Sequence, residues 1–255
     1  MILSPNLAAL RETVRAIEGE RHLAGAVLPF GLDALDTRLG DGGMRRDALH
    51  EVAGVGESWA DDGAAVLFMA GIAARARGDV LWVLRSRDLF APGLYQAGLD
   101  PDRVLYAEAK DDAELLALME EGLRHRGLGA VVGEAKTVSM TATRRLQLAA
   151  EGGRTIAMLL RRPTRRGTDP LGAPSTAVTR WRVGAAPSAP VAWGGLGPAC
   201  WQLSCVRQRG GAPFELTVEA ADETGRIALP AQLVDRPDQA GRAHADARTI
   251  ATAAA

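Results

Sequence analysis

The chain has 255 residues, 47% of them hydrophobic, and a formal net charge of −1. That length and apolar fraction suffice for one large α/β domain with small appendages. The near-zero net charge excludes nucleic-acid binding that is driven by the charge of the whole protein. It leaves room only for local basic patches. Two cysteines, Cys200 and Cys205, are too few for a disulfide framework, and their odd spacing on a predicted strand disfavours a bridge.

The first residues carry an apolar pattern at helical spacing, formed by Leu7, Leu10, Val14 and Ile17. The pattern predicts an amphipathic N-terminal helix that docks on another surface. A turn-rich connector, "PFGLDALDTRLGDGG", follows at 29–43. The sequence shows neither a signal peptide nor a long apolar span, which predicts a cytoplasmic protein without a membrane partner.

From Ala48 onward, short apolar strands alternate with longer helical patterns. This alternation predicts βαβ units and a largely parallel sheet. The predicted strands lie at 48–53, 80–84, 103–107, 129–132 and 155–160, and the predicted helices at 63–77, 89–98, 111–124 and 141–151.

After Leu160 the pattern changes to a basic loop rich in proline and glycine, "RRPTRRGTDPLGAPST". Strands are predicted at 177–183 and within 200–220, the latter as a hairpin that turns near 210–213. The chain therefore divides into an N-terminal helix and linker (1–28), one domain (29–230) and a mobile C-terminal tail (231–255).

Several stretches resemble known proteins. "FGLDALDTRLGDGGMRRDALHEVAG" resembles the segment that leads into the phosphate loop of RecA, and "VRQRGGAPFELTV" resembles a late RecA hairpin. More specifically, "RSRDLFAPGLYQAGLDPDRVLYAEA", "MEEGLRHRGLGAVVGE", "TATRRLQLAAE" and "AVTRWRV" resemble the ImuA family, the RecA-like accessory proteins of bacterial damage-induced mutagenesis. The resemblance covers roughly 29–230. It implies an α/β fold with a RecA-like core, whose largely parallel central sheet is flanked by helices and ends in a C-terminal antiparallel hairpin.

The stretch "HEVAGVGESWADDGAAVLF" has the layout of a phosphate-binding loop but not its chemistry. A working loop reads G-x-x-x-x-G-K-[ST], in which backbone N–H groups and the lysine hold the phosphates and the hydroxyl binds Mg²⁺. Aligned on that pattern, Gly54 is the first glycine and Trp59 takes the place of the second. Ala60 replaces the lysine, and Asp61 replaces the hydroxyl residue, with Asp62 next.

The exchange of a cation for carboxylates disfavours phosphate binding. A helix N-terminus attracts negative charge, so we expect Asp61 and Asp62 to cap the helix themselves. One unit-charge contact at ~4 Å contributes on the order of 4 kcal/mol at a surface-like dielectric. Replacing that attraction by repulsion therefore predicts a degenerate loop with no bound nucleotide.

Other parts of a RecA-type ATPase are also missing. The strand at 129–132 should end in a metal-binding aspartate, but Glu134 stands one place late. Where the RecA family places a catalytic glutamate, Asp88 is flanked by Arg85 and Arg87. We interpret Asp88 and Glu134 as solvated loop carboxylates, and we predict no catalytic residue, no cofactor and no enzymatic activity.

The remaining candidate chemistry is sparse. The histidines share no ligand spacing with one another or with the cysteines, which disfavours a metal site: His22, His50, His125 and His244. Trp82 is predicted to lie in the core. The other tryptophans of the second half either pack in the structure or face a partner: Trp181, Trp193 and Trp201.

The stretch "LLRRPTRRG" places four arginines directly after an apolar strand: Arg161, Arg162, Arg165 and Arg166. In RecA-like folds the loop at this point contacts single-stranded DNA, so the resemblance implies a surface that faces DNA or a filament. A solvated charged loop is the alternative. Any DNA binding is expected to be weak, because "EAKTVSMTATRR" leaves no room for the first DNA-binding loop of RecA.

Arg207 and Arg209 alternate with Gln208, so on a strand they share one face. The corresponding basic pair of RecA reaches the ATP of the neighbouring subunit. The resemblance therefore implies a face that can be presented to a RecA protomer. An ordinary solvent-facing strand edge is the alternative.

The leading hypothesis is a non-enzymatic accessory protein of mutagenic translesion DNA synthesis under RecA and SOS control. By resemblance, its partners are an ImuB-type inactive Y-family polymerase homologue, an error-prone replicative-type polymerase and RecA. Two alternatives remain from the sequence: a divergent RecA-like ATPase, and a SulA-like stress inhibitor that acts by docking.

Overall fold

The computed structural model describes residues 27–189, 191 and 195–230. The predicted N-terminal helix, the tail from 231 and Trp193 lie outside these residues. The strands are β1 Val27–Leu28, β2 Met44–Arg45, β3 Leu49–Gly54, β4 Asp79–Leu84, β5 Val104–Glu108, β6 Leu128–Ala135, β7 Ile156–Arg161, β8 Thr179–Ala186, β9 Cys200–Gln208 and β10 Phe214–Glu219. The helices are α1 Asp33–Asp36, α2 Trp59–Arg75, α3 Ala91–Gln96, α4 Asp112–Arg124 and α5 Met140–Gly153.

Eight strands form one sheet in the order β10-β9-β8-β3-β7-β6-β4-β5, while β1 and β2 pair separately. All pairings from β8 to β5 are parallel. The pairs β8–β9 and β9–β10 are antiparallel. The prediction of a largely parallel sheet with a C-terminal antiparallel hairpin is confirmed. Because β3, β7 and β8 are parallel neighbours, their carboxyl ends lie side by side at one edge of the sheet.

Three helices begin at residues whose side chains cap them. Ser58, Asp111 and Ser139 each accept a hydrogen bond from the backbone N–H three residues later, at the start of α2, α4 and α5. The helix predicted at 63–77 therefore begins four residues earlier, at Trp59. The expectation that Asp61 and Asp62 are its caps was wrong, since Ser58 holds that position and the two aspartates lie in the first turn.

Two apolar layers cover the two faces of the sheet. The layer under α2 is centred on aromatic contacts of Phe68 with Phe30, Trp181 and Trp201, at ring-centroid distances of 5.6–6.3 Å. The layer under α4 and α5 consists mainly of aliphatic side chains. Trp82 is buried as predicted, and Trp181 and Trp201 are buried too, which confirms the packing alternative for them.

Both cysteines are buried and unbridged. Burial raises the pKa of the Cys205 thiol to about 12. A thiol with that pKa is almost entirely protonated at neutral pH and is a poor nucleophile.

His50 on β3 is fully buried in a chain of hydrogen bonds. Its Nε2 lies 2.7 Å from the carbonyl oxygen of Arg45, and its Nδ1 lies 2.7 Å from Oγ1 of Thr179. A carbonyl only accepts, so Nε2 carries the proton and Nδ1 accepts from the hydroxyl. Thr179 Oγ1 accepts in turn from Nε1 of Trp181 at 2.6 Å. This arrangement satisfies a neutral imidazole.

Burial lowers the pKa of His50 from 6.5 to about 4. The neutral form thus contributes stability that is complete above pH 6.5 and is lost as pH falls towards about 4. We expect the free energy of unfolding to fall by about 3 kcal/mol across this range on account of His50 alone. Urea denaturation at several pH values measures this fall in the free energy of unfolding. The proteins compared are wild type, His50→Gln and the exposed control His125→Gln. Equal acid sensitivity in all three proteins would contradict the assignment.

Candidate functional site: the phosphate-loop position

The phosphate-loop position, residues 54–62, lies at the carboxyl end of β3 and the N-terminus of α2. In this place the parent motif would hold phosphates on backbone N–H groups. Trp59 is 93% exposed and points away from any core. The N-cap hydroxyl of Ser58 donates to Oδ2 of Asp61 at 2.7 Å. The same hydroxyl accepts from the backbone N–H of Asp61 at 3.1 Å, so the N-cap and the first turn of α2 are bound to each other.

The two aspartates fold back over the loop. A β-carbon on Gly54 would lie 3.2 Å from Oδ1 of Asp62, and one on Gly56 would lie 2.9 Å from Oδ2 of Asp61. Asp61 Oδ1 also accepts from the backbone N–H of Ala185 at 2.9 Å, which ties the loop to the end of β8. The carboxylates therefore stand close to the backbone that would otherwise approach a phosphate.

Arg162 completes an ion-pair network at this position. Its Nη1 lies 2.6 Å from Oδ2 of Asp62. Its Nε and Nη2 lie 2.8 and 3.3 Å from the two oxygens of Glu134, a two-pronged contact. Burial alone would lower the pKa of the Arg162 guanidinium, but Glu134 and Asp62 raise it above its ordinary value. The network joins β6 and the segment after β7 to the start of α2.

Glu134 is not a solvated loop carboxylate, so that interpretation was wrong. The strand predicted at 129–132 runs on to Ala135 as β6, and Glu134 is a half-buried strand residue held by Arg162. Asp88 is an exposed loop residue, in agreement with the prediction. Among the described residues, no three His, Cys, Asp or Glu side chains are grouped so that they could hold a metal ion.

A cavity of about 230 Å³ adjoins the phosphate-loop position. Small-molecule pockets typically measure roughly 300 to 1,000 Å³, so this one is small for a nucleotide. Its polar groups include the ion-paired side chains of Asp62, Arg161, Asp169 and Arg182. A wider groove of about 610 Å³ lies between α4 and α5, away from the loop.

A buried ion triad that the sequence pattern did not predict lies next to this cavity. Glu51 on β3 is 0% exposed and accepts from Nη1 of Arg161 and from Nε of Arg180, both at 2.7 Å. Nε of Arg161 is buried without a hydrogen-bond partner among the described residues. The charges of this triad, which joins β3, β7 and β8, are thus paired within the protein.

The four arginines of the basic loop do not form one surface. Arg161 is buried against Glu51, and Arg162 is half-buried between Asp62 and Glu134. Arg165 is exposed, and Arg166 is exposed while its Nε contacts Oε2 of Glu57 at 3.0 Å. The backbone N–H of Gly167, together with Arg166, lowers the pKa of the Glu57 carboxyl. The expectation of four solvent-facing arginines was wrong for the first two.

Arg207 and Arg209 are both exposed near the end of β9, while Gln208 between them is buried. Arg209 follows the last residue of β9, so the shared strand face of the two arginines stays a prediction. Arg207 also donates from Nη1 to the carbonyl oxygen of Ser175 at 2.7 Å, whereas the side chain of Arg209 forms no hydrogen bond or ion pair with the described residues.

Comparison with known proteins fits this geometry. Protein ImuA of Caulobacter vibrioides is 39% identical over 220 residues, which cover 82% of this chain and 89% of that protein. The chain belongs to the ImuA family. The same figures hold for the Caulobacter protein of a second strain. No family model matches the chain.

Solved structures extend the likeness of this ImuA-family protein to its fold. The RadB recombinase has a TM-score of 0.55 at 15% identity and covers 80% of this chain and all of its own. The RecA-like fold is thereby established. SulA from Pseudomonas aeruginosa aligns over 44% of this chain and 95% of its own, with 26% identity and a TM-score of 0.38. No helix within the described ranges is long and apolar enough to cross a membrane.

Proposed function

We propose that this ImuA-family protein is a non-enzymatic accessory protein of damage-induced mutagenic translesion DNA synthesis. Family membership supports the biological role. The observation that supports the non-enzymatic part is the Asp62–Arg162–Glu134 network, in which the protein's own charges pair with one another at the phosphate-loop position. A RecA-like fold without a working nucleotide site is suited to recognition of other proteins.

The proposed partners are an ImuB-type inactive Y-family polymerase homologue, an error-prone replicative-type polymerase and RecA, all in the cytoplasm. The contact with RecA is assigned to the exposed face of Arg207 and Arg209. A head-to-tail filament needs two competent faces on each subunit. A subunit with one such face and a closed nucleotide site would end or trim a RecA filament rather than extend it.

Charge reversal of this face is expected to weaken RecA binding. The double variant Arg207→Glu, Arg209→Glu should pull down less RecA than the wild type, by a factor of about ten or more. Reversed charges on one side of an interface repel the partner. Arg209→Glu alone should show most of the loss, since the guanidinium of Arg207 is already bound to the Ser175 carbonyl. Mutagenesis after DNA damage should fall in parallel.

The matched control reverses two exposed arginines elsewhere, Arg126→Glu and Arg144→Glu. Circular dichroism checks the fold of each protein, because Arg207 also binds the Ser175 carbonyl. Undiminished RecA binding by a folded Arg209→Glu protein, or equal loss in the control, would overturn the assignment.

Any binding of single-stranded DNA is expected to be weak and to depend on Arg165 and Arg166. If each contacts one phosphate, their replacement by alanine lowers the slope of log affinity against log salt by roughly 1.4, at ~0.7 per contact on single strands. Fluorescence anisotropy with a labelled oligonucleotide across a salt series measures the slope. An unchanged slope would assign DNA binding, where present, to other residues.

A further inference from the structure

The two edges of the eight-stranded sheet differ in how far other parts of the chain cover them. At the β10 edge, Nη1 of Arg38 donates to the carbonyl oxygen of Glu215 at 3.0 Å, and the backbone N–H of Glu219 donates to the carbonyl oxygen of Ala228 at 2.8 Å. The side chains that this strand exposes most are Glu215 and Thr217. Other parts of the chain thus occupy that edge, and its exposed surface is polar.

In the described part of the chain, no segment other than β4 forms backbone hydrogen bonds with β5, and the one charged side chain of the strand, Glu108 at its end, is paired with Arg87. The residues Val104–Glu108 contain no proline, lysine or glycine, and their pairing with β4 runs through five successive residues without a bulge. Leu105 is 53% exposed and Tyr106 is 47% exposed. Soluble proteins usually protect such an edge with charges, bulges or a covering segment, because its free N–H and C=O groups are a template for another strand.

The exposed side chains of β5 lie on both faces of the sheet. Val104 packs against the α2 layer and Ala107 against the α4 and α5 layer, so alternation places Tyr106 on the first face and Leu105 on the second. An added strand would therefore meet an apolar neighbour on each face. It would need apolar side chains at two adjacent positions, one for each face.

Further exposed aromatic residues lie on the α2 side of the sheet. The segment that leads to β5 through α3 carries Phe90 and Tyr95, which are 70% and 63% exposed. Leu94 of α3 belongs to the α2 layer, which places these aromatics on the same side of the sheet as Tyr106. Aromatic side chains are enriched at protein interfaces, where they supply much of the binding energy.

We propose that β5 is a docking edge for an extended segment of a partner protein, which adds as an extra strand and carries apolar side chains at two adjacent positions. The assignment rests on the proposed function as a protein-recognition scaffold. The size of the surface indicates which kind of partner fits. β5 and the exposed aromatics Phe90 and Tyr95 together offer fewer than ten residues, whereas stable interfaces between folded proteins use about 20–30 residues on each side. An extended peptide gains main-chain hydrogen bonds from a short edge and needs no larger surface.

The test uses the full chain and a displayed library of short random peptides. Selected peptides are synthesised, and their affinity is measured by fluorescence anisotropy for three proteins. These are the wild type, an edge variant that carries both Leu105→Lys and Tyr106→Lys, and Leu148→Lys. Leu148 is 57% exposed on α5 and serves as the matched control. We expect peptides with two adjacent apolar residues to bind wild type and the control equally, and the edge variant at least about thirtyfold more weakly.

A second measurement needs no substitution. Hydrogen exchange on the wild-type protein should show slower exchange of backbone amides within 104–108 when the peptide is bound. Equal peptide affinity for the folded edge variant, unchanged exchange in β5, or failure of the library to yield a binder would each overturn the proposal. A concentration-dependent dimer in sedimentation velocity that the edge variant abolishes would identify a second copy as the occupant and overturn it too. None of these outcomes bears on nucleotide binding or on Arg209, so the proposed function is judged separately.

Discussion

Replacement of Glu51 by alanine is expected to lower the free energy of unfolding by about 3–5 kcal/mol. Glu51 is fully buried and is the carboxylate that pairs with both Arg161 and Arg180. Its removal leaves two cations in the protein interior without a counter-charge. The cost of an uncompensated buried charge greatly exceeds that of a lost surface pair. Urea denaturation with linear extrapolation measures the difference.

The matched control is Glu108→Ala, which removes an exposed ion pair with Arg87. That change should cost about 0–1 kcal/mol, because exposed pairs are solvated and screened. Apolar replacement of all three charges, Glu51→Leu with Arg161→Met and Arg180→Met, should recover most of the stability lost in Glu51→Ala. A Glu51→Ala protein within about 1 kcal/mol of wild type would show that the two arginines are not held by this carboxylate.

The order of strands and helices could be predicted because each apolar run has its own period in the sequence. The start of α2 was missed, although the sequence contains the signal for it: Ser58 followed by Asp61 has the spacing of a capping motif. The two aspartates lie in the first turn after Ser58, where negative charge is favourable without capping the helix. The exposure of Arg207 and Arg209 on either side of the buried Gln208 could be predicted, because side chains on a strand alternate between faces.

The partners of the buried charges could not be predicted. Arg161 pairs with Glu51, 110 residues away, and Arg162 pairs with Asp62 and with Glu134, 28 residues away. A run of arginines after a strand resembles a solvated loop unless the sheet order is known. Only the placement of β7 between β3 and β6 brings these groups together. The exposed apolar edge at β5 likewise depends on knowing which strand is last in the sheet.

The second large effect concerns nucleotide affinity. We expect no binding of Mg-ATP up to about millimolar concentration, which corresponds to a binding free energy weaker than about −4 kcal/mol. Asp61 and Asp62 stand next to the loop backbone, and Arg162 is already paired with Asp62 and Glu134. A triphosphate would have to displace these ion pairs and then lie beside the freed carboxylates.

Restoration of the loop residues alone should not create an ATPase. In the Trp59→Gly, Ala60→Lys, Asp61→Thr protein, Glu134 would still be bound by Arg162 and unavailable to a metal ion. We expect phosphate release by this variant to stay at the level of wild type in a steady-state assay. Turnover well above that level would show that the remaining carboxylates can serve a metal after all.

The central claim is that the protein's own ion pairs close the former nucleotide site. Isothermal titration of the full chain with Mg-ATP tests it most directly, with a RecA-type ATPase in the same buffer as the positive control. The claim predicts heats equal to those of dilution for this chain and saturable binding for the control. Saturable one-to-one binding with a micromolar dissociation constant would contradict it.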